Sequence, residues 1–275
     1  MNFYNFVALY LSILHSKHIV YPMSLSNAQL KFLQSLKLKK FRQKFNNYFV
    51  EGPKMVEELL SHDAERVKVL YALSEYLEKL PKHLGKKIEL VPISEKDLKK
   101  ISLLSTPNQV LAVAEFPDLK LMPDLKGTGL SFYLDRIQDP GNLGTILRIA
   151  DWFGVKNVIC APGTVDAYSA KVVQASMGAI FRVKVTYLDF ASLAREQNDV
   201  HFMAAVLDNG DSIYEANLNQ DSVLIIGNES KGIEDAVLAN TNQLLSIPRL
   251  GNNGAESLNA AVACGIICGQ LLKPN

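Results

Sequence analysis

From residue 130 onward the chain alternates short apolar runs with stretches whose apolar residues recur at helical spacing. The runs LSFYLD, VKNVICA, VKVTYL, HFMAAVL, SVLIIG and LLSIP read as strands. Helical patterns open near Asn142, cover 169–180 and 190–197, follow Gly232, and close the chain over 257–272. Apolar strands alternating with helices predict an α/β fold, a mainly parallel sheet with helices on both faces. Upstream, EGPKMVEELL and ISEKDLKKISLLS read as helices and VKVLYAL and VLAVAEF as strands, which predicts a second, smaller α/β unit. The stretch FPDLKLMPDLKGTG, with Pro117, Pro123, Gly127 and Gly129, has linker composition and separates the two. The expected domains are therefore 23–120 and 128–275.

The first 22 residues differ. They carry an uncharged apolar run over 3–14, shorter than the roughly 20 residues a membrane span needs and without the basic start and cleavage site of a secretory leader. Since Met23 opens a segment of ordinary soluble character, 1–22 are expected to be a start artefact or a poorly ordered extension, and no membrane association is expected. Composition adds little, because 48% hydrophobic and 21% charged residues are ordinary for a soluble protein. The net charge of +1 hides segregation: 24–50 holds Lys31, Lys37, Lys39, Lys40, Arg42 and Lys44 with no acidic residue, interleaved with Phe41, Phe45, Tyr48 and Phe49. Such a stretch suits phosphates and unpaired bases, and equally a solvated helix face with its aromatics turned inward. Lys37, Lys39, Lys40, Arg42 and Lys44 are the candidate RNA contacts. Cys160, Cys264 and Cys268 form neither a disulfide framework nor a zinc pattern, so no metal and a reducing cytoplasm are expected.

Three segments carry candidate chemistry. In FYLDRIQDPGNLGTILRIADWFGV, Leu143, Ile146, Leu147, Ala150 and Phe153 form one apolar stripe on a helix. Arg148 falls opposite it, on the side of Trp152, and a tryptophan is seldom left in water. A partner subunit or RNA on that face would lie beside Asn142, Thr145 and Arg148. In SVLIIGNESKGIEDAV, a strand ends at Gly227 in a polar loop where a ligand at the carboxyl ends of parallel strands would sit. Neither glycine-rich nucleotide fingerprint occurs there, which disfavours a nicotinamide or P-loop enzyme. Glu229 is either a turn residue binding backbone amides or a catalytic group. In LLSIPRLGNNGAESLNAAVACGII, a Gly/Asn-rich loop precedes a helix capped by Ser257 or a near neighbour, with Asn259 one turn inside. Gly254, Ala255, Ala260 and Ala261 there permit close backbone approach.

In this order, DPGNLGTILRIADWFG, IIGNESKGI and IPRLGNNGAESLN resemble motifs one, two and three of the SpoU or TrmH family of SPOUT RNA methyltransferases. LKLKKFRQKFNNYFVEGPKMVEELL and STPNQVLAVAEF resemble that family's substrate-binding domain of the ribosomal-protein L30e type. The resemblance implies a C-terminal trefoil knot, S-adenosylmethionine as methyl donor, an obligate homodimer and a ribose 2′-hydroxyl as acceptor. It implies cofactor contacts at Gly227, Ile247 and Leu258 and a catalytic set of Asn142, Arg148, Glu229, Ser257 and Asn259. Gln174, where many relatives have arginine, and Arg249, after the motif three proline, are departures that bear on RNA contact. Ribosomal RNA is expected over transfer RNA, since the L30e-like domain suits a folded element. A base-methylating relative and an RNA-binding module without catalysis are the alternatives. A guanidinium is a poor base, so Arg148 is expected to hydrogen-bond the hydroxyl or a phosphate and stabilise developing alkoxide, with Asn142 and Glu229 holding it and Ser257 and Asn259 shaping the third loop.

Overall fold

The computed structural model describes residues 24–117, 122–218, 220–251 and 256–273; the segment 1–22 lies outside them. Helices α1 (Asn27–Ser35) and α2 (Lys39–Phe45) come first, followed by β1 (Asn47–Glu51), α3 (Pro53–His62), β2 (Val67–Ala72), α4 (Ser74–Leu77), β3 (Glu89–Pro92), α5 (Glu95–Ile101) and β4 (Val110–Glu115). The four strands form one sheet in the order β1-β4-β2-β3, antiparallel except between β2 and β3. Its two edge strands do not stand out in sequence. NYFVE ends the basic stretch, where its aromatics read as part of a helix, and ELVP closes on a proline, which a strand tolerates at a sheet edge.

The second sheet is parallel at every pairing. It comprises β5 (Leu130–Asp135), β6 (Asn157–Cys160), β7 (Lys184–Tyr187), β8 (His201–Val206), β9 (Asp211–Ser212), β10 (Ser222–Gly227) and β11 (Gln243–Ser246), in the order β7-β6-β5-β10-β8-β11-β9. Its helices are α6 (Pro140–Trp152), α7 (Ala170–Ser176), α8 (Phe190–Glu196), α9 (Asp235–Leu238) and α10 (Ala260–Leu271). β5 is buried at every position and β10 at all but its last, as strands covered on both faces must be. The crossover placing β10 beside β5 sets Gly227 opposite Asp135, which brings the second motif's loop next to the first motif's helix. The helix expected over 169–180 is broken, because Met177 (φ 50°) and Gly178 (φ 93°) turn left-handed and end α7. The knot implied by the family resemblance depends on the path from β11 to α10, and 252–255 of that path lie outside the described residues.

Helices α6, α7 and α10 pack on one face of this sheet, with Leu143, Ile146, Leu147 and Ala150 buried as the stripe requires. Gly144 permits the approach of α6 to α7, since a Cβ there would stand 2.4 Å from that of Ala175. The apolar cluster continues unbroken into the first sheet through Tyr48, Val50 and Leu59. At that junction the rings of Tyr48, Phe116 and Tyr168 lie 4.8 to 5.7 Å apart. Arg42 also belongs here, and its expected role as an RNA contact is corrected. Its side chain is buried, its Nε donates to Asp166 at 3.1 Å, and its Nη1 donates to the carbonyls of Leu36 and Lys37 at 2.8 and 2.9 Å. A guanidinium so committed has no donor face left for a phosphate. The other face of the large sheet packs Tyr133, Phe190, Leu193 and Phe202 beneath the short helices α8 and α9.

Candidate functional site

Helix α6 starts where it does because the Asp139 carboxylate accepts the Asn142 amide at 2.8 Å and Pro140 supplies a preset first turn. Asn142 is thereby fixed in that turn. Its Nδ2 donates to Glu229 Oε1 at 2.7 Å and its Oδ1 accepts from Asn259 Nδ2 at 2.8 Å. One side-chain amide joins all three motif segments.

Glu229 rides on a tight loop after β10, in which Asn228 and Gly232 exchange backbone hydrogen bonds of 2.9 and 3.1 Å. The Asn228 side chain accepts from the Ser230 and Lys231 amides at 3.0 Å each and donates to the Arg136 carbonyl at 2.8 Å. The amide-binding turn role open to Glu229 therefore falls to Asn228, an assignment its Asn-x-x-x-Gly spacing could have suggested. The Glu229 carboxylate is left for Asn142. The loop is anchored from below by buried Asp135, which accepts two bonds from Arg136 at 2.9 Å each and the Glu234 amide at 2.8 Å. Gly227 permits the loop to fold back, since a Cβ there would lie 2.6 Å from the Gly232 carbonyl carbon. Gly227→Ala is thus expected to destabilise the fold by about 1–3 kcal/mol and displace Glu229. A wild-type urea midpoint in that variant would reject the close approach.

In the third segment, Asn259 is itself the helix cap, accepting from the Ala261 and Val262 amides at 3.0 and 3.2 Å, instead of lying one turn inside. Ser257 does not cap α10; it is exposed and has no partner among the described residues. Leu258 is exposed, while Ile247 is half-buried against the core just beyond β11. Gly227 and Ile247 thus end strands separated by β8 at the same carboxyl edge. Arg249 donates to the Glu256 carbonyl at 2.6 Å and ties the loop's two ends together. Gly254 and Ala255 lie outside the described residues.

Arg148 is exposed and has no hydrogen-bond or ion-pair partner among the described residues. The expectation that Asn142 and Glu229 hold it is corrected: those two hold each other and Asn259. Six residues along a helix is about 9 Å of rise and a third of a turn round, which puts Arg148 beside the triad without touching it. Trp152, on the same face, is 85% exposed, and Val262 and Ile266 of α10 are exposed too. Lys37, Lys39, Lys40 and Lys44 are all exposed, and Lys40 and Lys44 stand 4.8 and 5.5 Å from the ring centroids of Phe41 and Phe45. Gln174 is half-buried and its side chain makes no hydrogen bond among the described residues. Among the described residues no cluster of His, Cys, Asp or Glu could hold a metal, and no helix is long and apolar enough to cross a membrane. All three cysteines are buried, and burial raises the Cys160 pKa.

Comparison with known proteins finds two family models. Residues 129–269 match the SpoU rRNA Methylase family and residues 27–112 the MRM3-like substrate binding domain. The chain is 33% identical to the Bacillus subtilis 23S rRNA (guanosine(2553)-2'-O)-methyltransferase RlmP, over 89% of this chain and 96% of that one. Among solved structures, a TrmH-family protein from Porphyromonas gingivalis is similar at 39% identity and TM-score 0.79, covering 90% of this chain and 98% of the other. An AdoMet-bound rRNA methyltransferase from Sinorhizobium meliloti is similar at 28% identity and TM-score 0.79, covering 90% and 95%.

Proposed function

The chain belongs to the SpoU rRNA methylase family, and from that premise we propose that it transfers the methyl group of S-adenosylmethionine to a ribose 2′-hydroxyl of ribosomal RNA. The observation that carries this reading is the Asn142 amide, which gathers Glu229 and Asn259 on the helix that bears Arg148, an arginine with no partner among the described residues. S-adenosylmethionine supplies a methyl on a positively charged sulfur, and its displacement by a hydroxyl needs alignment and relief of the hydroxyl proton. The ribose oxygen takes the methyl as the carbon–sulfur bond breaks and the hydroxyl proton passes to solvent, while Arg148 donates to that oxygen and stabilises the charge that grows on it. Asn142 keeps the Glu229 carboxylate and the start of α10 in register, so that the second and third loops face Arg148 together.

The carboxyl edge of the sheet suits the cofactor. Leu250 and Leu258 offer exposed apolar surface, Ile247 adds a half-buried one, and the backbone groups of Leu250 and Gly251 have no partner among the described residues, as an adenosine cradle requires. Lys37, Lys39, Lys40 and Lys44 would track the RNA backbone from α2 and the turn before it. A homodimer is supported by the uncovered face of Trp152, Val262 and Ile266 beside Arg148, where a second copy would bury the tryptophan. The buried free cysteines suit a reducing cytoplasm.

The test is incubation of the purified protein with methyl-labelled S-adenosylmethionine and unmodified total RNA, separation of ribosomal from transfer RNA, and digestion to nucleosides. Label recovered as a 2′-O-methylnucleoside from ribosomal RNA is the expected result. Label on a base, or in transfer RNA alone, would overturn the assignment of atom or substrate.

A further inference from the structure

The path out of β11 and the path into α10 are each fixed by neighbours. On the outgoing leg the Ser246 hydroxyl donates to the Gly210 carbonyl at 2.9 Å, and Ile247 packs half-buried against the core. On the returning leg Asn259 caps α10 and donates to Asn142 at 2.8 Å. Between these anchors the chain is exposed from Arg249 to Gly251 and again from Glu256 to Asn259. Among the described residues one hydrogen bond joins the two exposed legs, from Arg249 Nη2 to the Glu256 carbonyl at 2.6 Å. A charged donor makes a stronger bond there than a neutral one would. Its acceptor is main chain, so the bond fixes the course of the backbone whatever side chain residue 256 carries.

Ile247 and Leu258, the cofactor contacts expected on this loop, stand symmetrically about that bond. Ile247 lies two residues before Arg249, and Leu258 two residues after Glu256. The reach of one arginine side chain therefore sets how the two legs face each other. We propose that Arg249 is a positioning residue, a clamp that holds Ile247 and Leu258 in register before the cofactor arrives. This rests on the reading of S-adenosylmethionine as the methyl donor. Without the clamp the same contacts can form, but each binding event must first order the backbone of both legs, and that entropy is subtracted from the affinity. With it, the ordering is already met when the chain folds. Arg249 thereby serves its own chain, in place of the RNA contact that its sequence position suggests. The same bond reaches the catalytic triad, since Glu256 is three residues from Asn259 and a fixed return leg keeps that asparagine on Asn142.

The test is calorimetric titration of the full chain with S-adenosylhomocysteine and with 5′-methylthioadenosine, which lacks the amino-acid portion. Arg249→Met should weaken both ligands by the same factor, about fivefold, the net worth of one hydrogen bond. Arg249→Lys, which keeps a charged donor, should recover most of that loss. In methyl transfer the KM for S-adenosylmethionine should rise by the same factor while kcat at saturating cofactor is retained, the pattern of lost uniform binding. The urea midpoint of the ligand-free variant should match the wild type. A loss confined to S-adenosylhomocysteine would overturn the clamp in favour of a direct contact with the amino-acid portion, and a lowered urea midpoint would reduce Arg249 to a part of the fold. Undiminished affinity for both ligands would also overturn it, and weaker RNA binding in that variant would make Arg249 an RNA contact. Wild-type protein that binds neither ligand would sink the cofactor reading and the clamp with it, whereas a clamp that fails in protein binding both leaves that reading standing.

Discussion

Arg148→Lys is expected to lower the single-turnover methyl-transfer rate by about 100-fold or more while leaving S-adenosylmethionine binding unchanged. The reasoning is geometric. Arg148 projects from α6 with no partner among the described residues, so its planar fork is free to place two N–H donors on the ribose oxygen and the neighbouring phosphate at once. Lysine keeps the charge and loses the fork. An ordinary general base at that position would show a rate that climbs with pH through the base's pKa; a guanidinium contributes no such limb near neutrality. Stopped-flow or quench measurement with saturating RNA, alongside calorimetric binding of the cofactor, separates the two roles. Wild-type turnover in the lysine variant would remove Arg148 from the chemistry, and a parallel loss of cofactor affinity would reassign it to binding.

The second large effect is expected far from the site. Arg42→Met should cost about 3 kcal/mol, measured by urea denaturation, because removing one member of a buried pair leaves the other carboxylate with its desolvation uncompensated. Asp166 has a side chain only 14% exposed, and that of Arg42 is 6% exposed. The Leu36 and Lys37 carbonyls would lose their donor as well. The double variant Arg42→Met with Asp166→Leu should recover part of that stability, since an apolar pair of similar volume replaces a buried charge pair at little cost. If Arg42→Met alone unfolds at the wild-type midpoint while RNA affinity falls, Arg42 belongs with the exposed lysines after all.

Legibility in the sequence followed physical cause. The parallel sheet is readable because the central residues of β5 and β10, Phe132 to Leu134 and Val223 to Ile226, are apolar in succession, a pattern that double-sided burial explains. The first sheet was half readable, since its edge strands carry the aromatics of NYFVE and the proline of ELVP, neither of which alternates cleanly. At the site, the three motif segments were identifiable and their meeting through Asn142 was not, because a side-chain amide bridging positions 229 and 259 leaves no local trace. The cap of α10, open in sequence between Ser257 and a near neighbour, is Asn259: serine and asparagine are equally good caps, and only the amides of Ala261 and Val262 decide between them. Arg42 was indistinguishable from its lysine neighbours, since its partner lies 124 residues away.

The apolar cluster that runs unbroken from Leu59 and Tyr48 into the helices of the large sheet bears on how such a protein can diversify. Two units tethered by a flexible linker can be exchanged as modules, each keeping its own stability. Here a transplanted substrate-binding unit would have to match Tyr168, Asp166 and Arg182 of the catalytic unit in shape and charge to keep the contacts this junction makes. On the proposed reading of the α2 lysines as RNA contacts, a new RNA target is reached by change on the outer surface of α2 with the packed junction left intact, whereas domain replacement has to rebuild that junction.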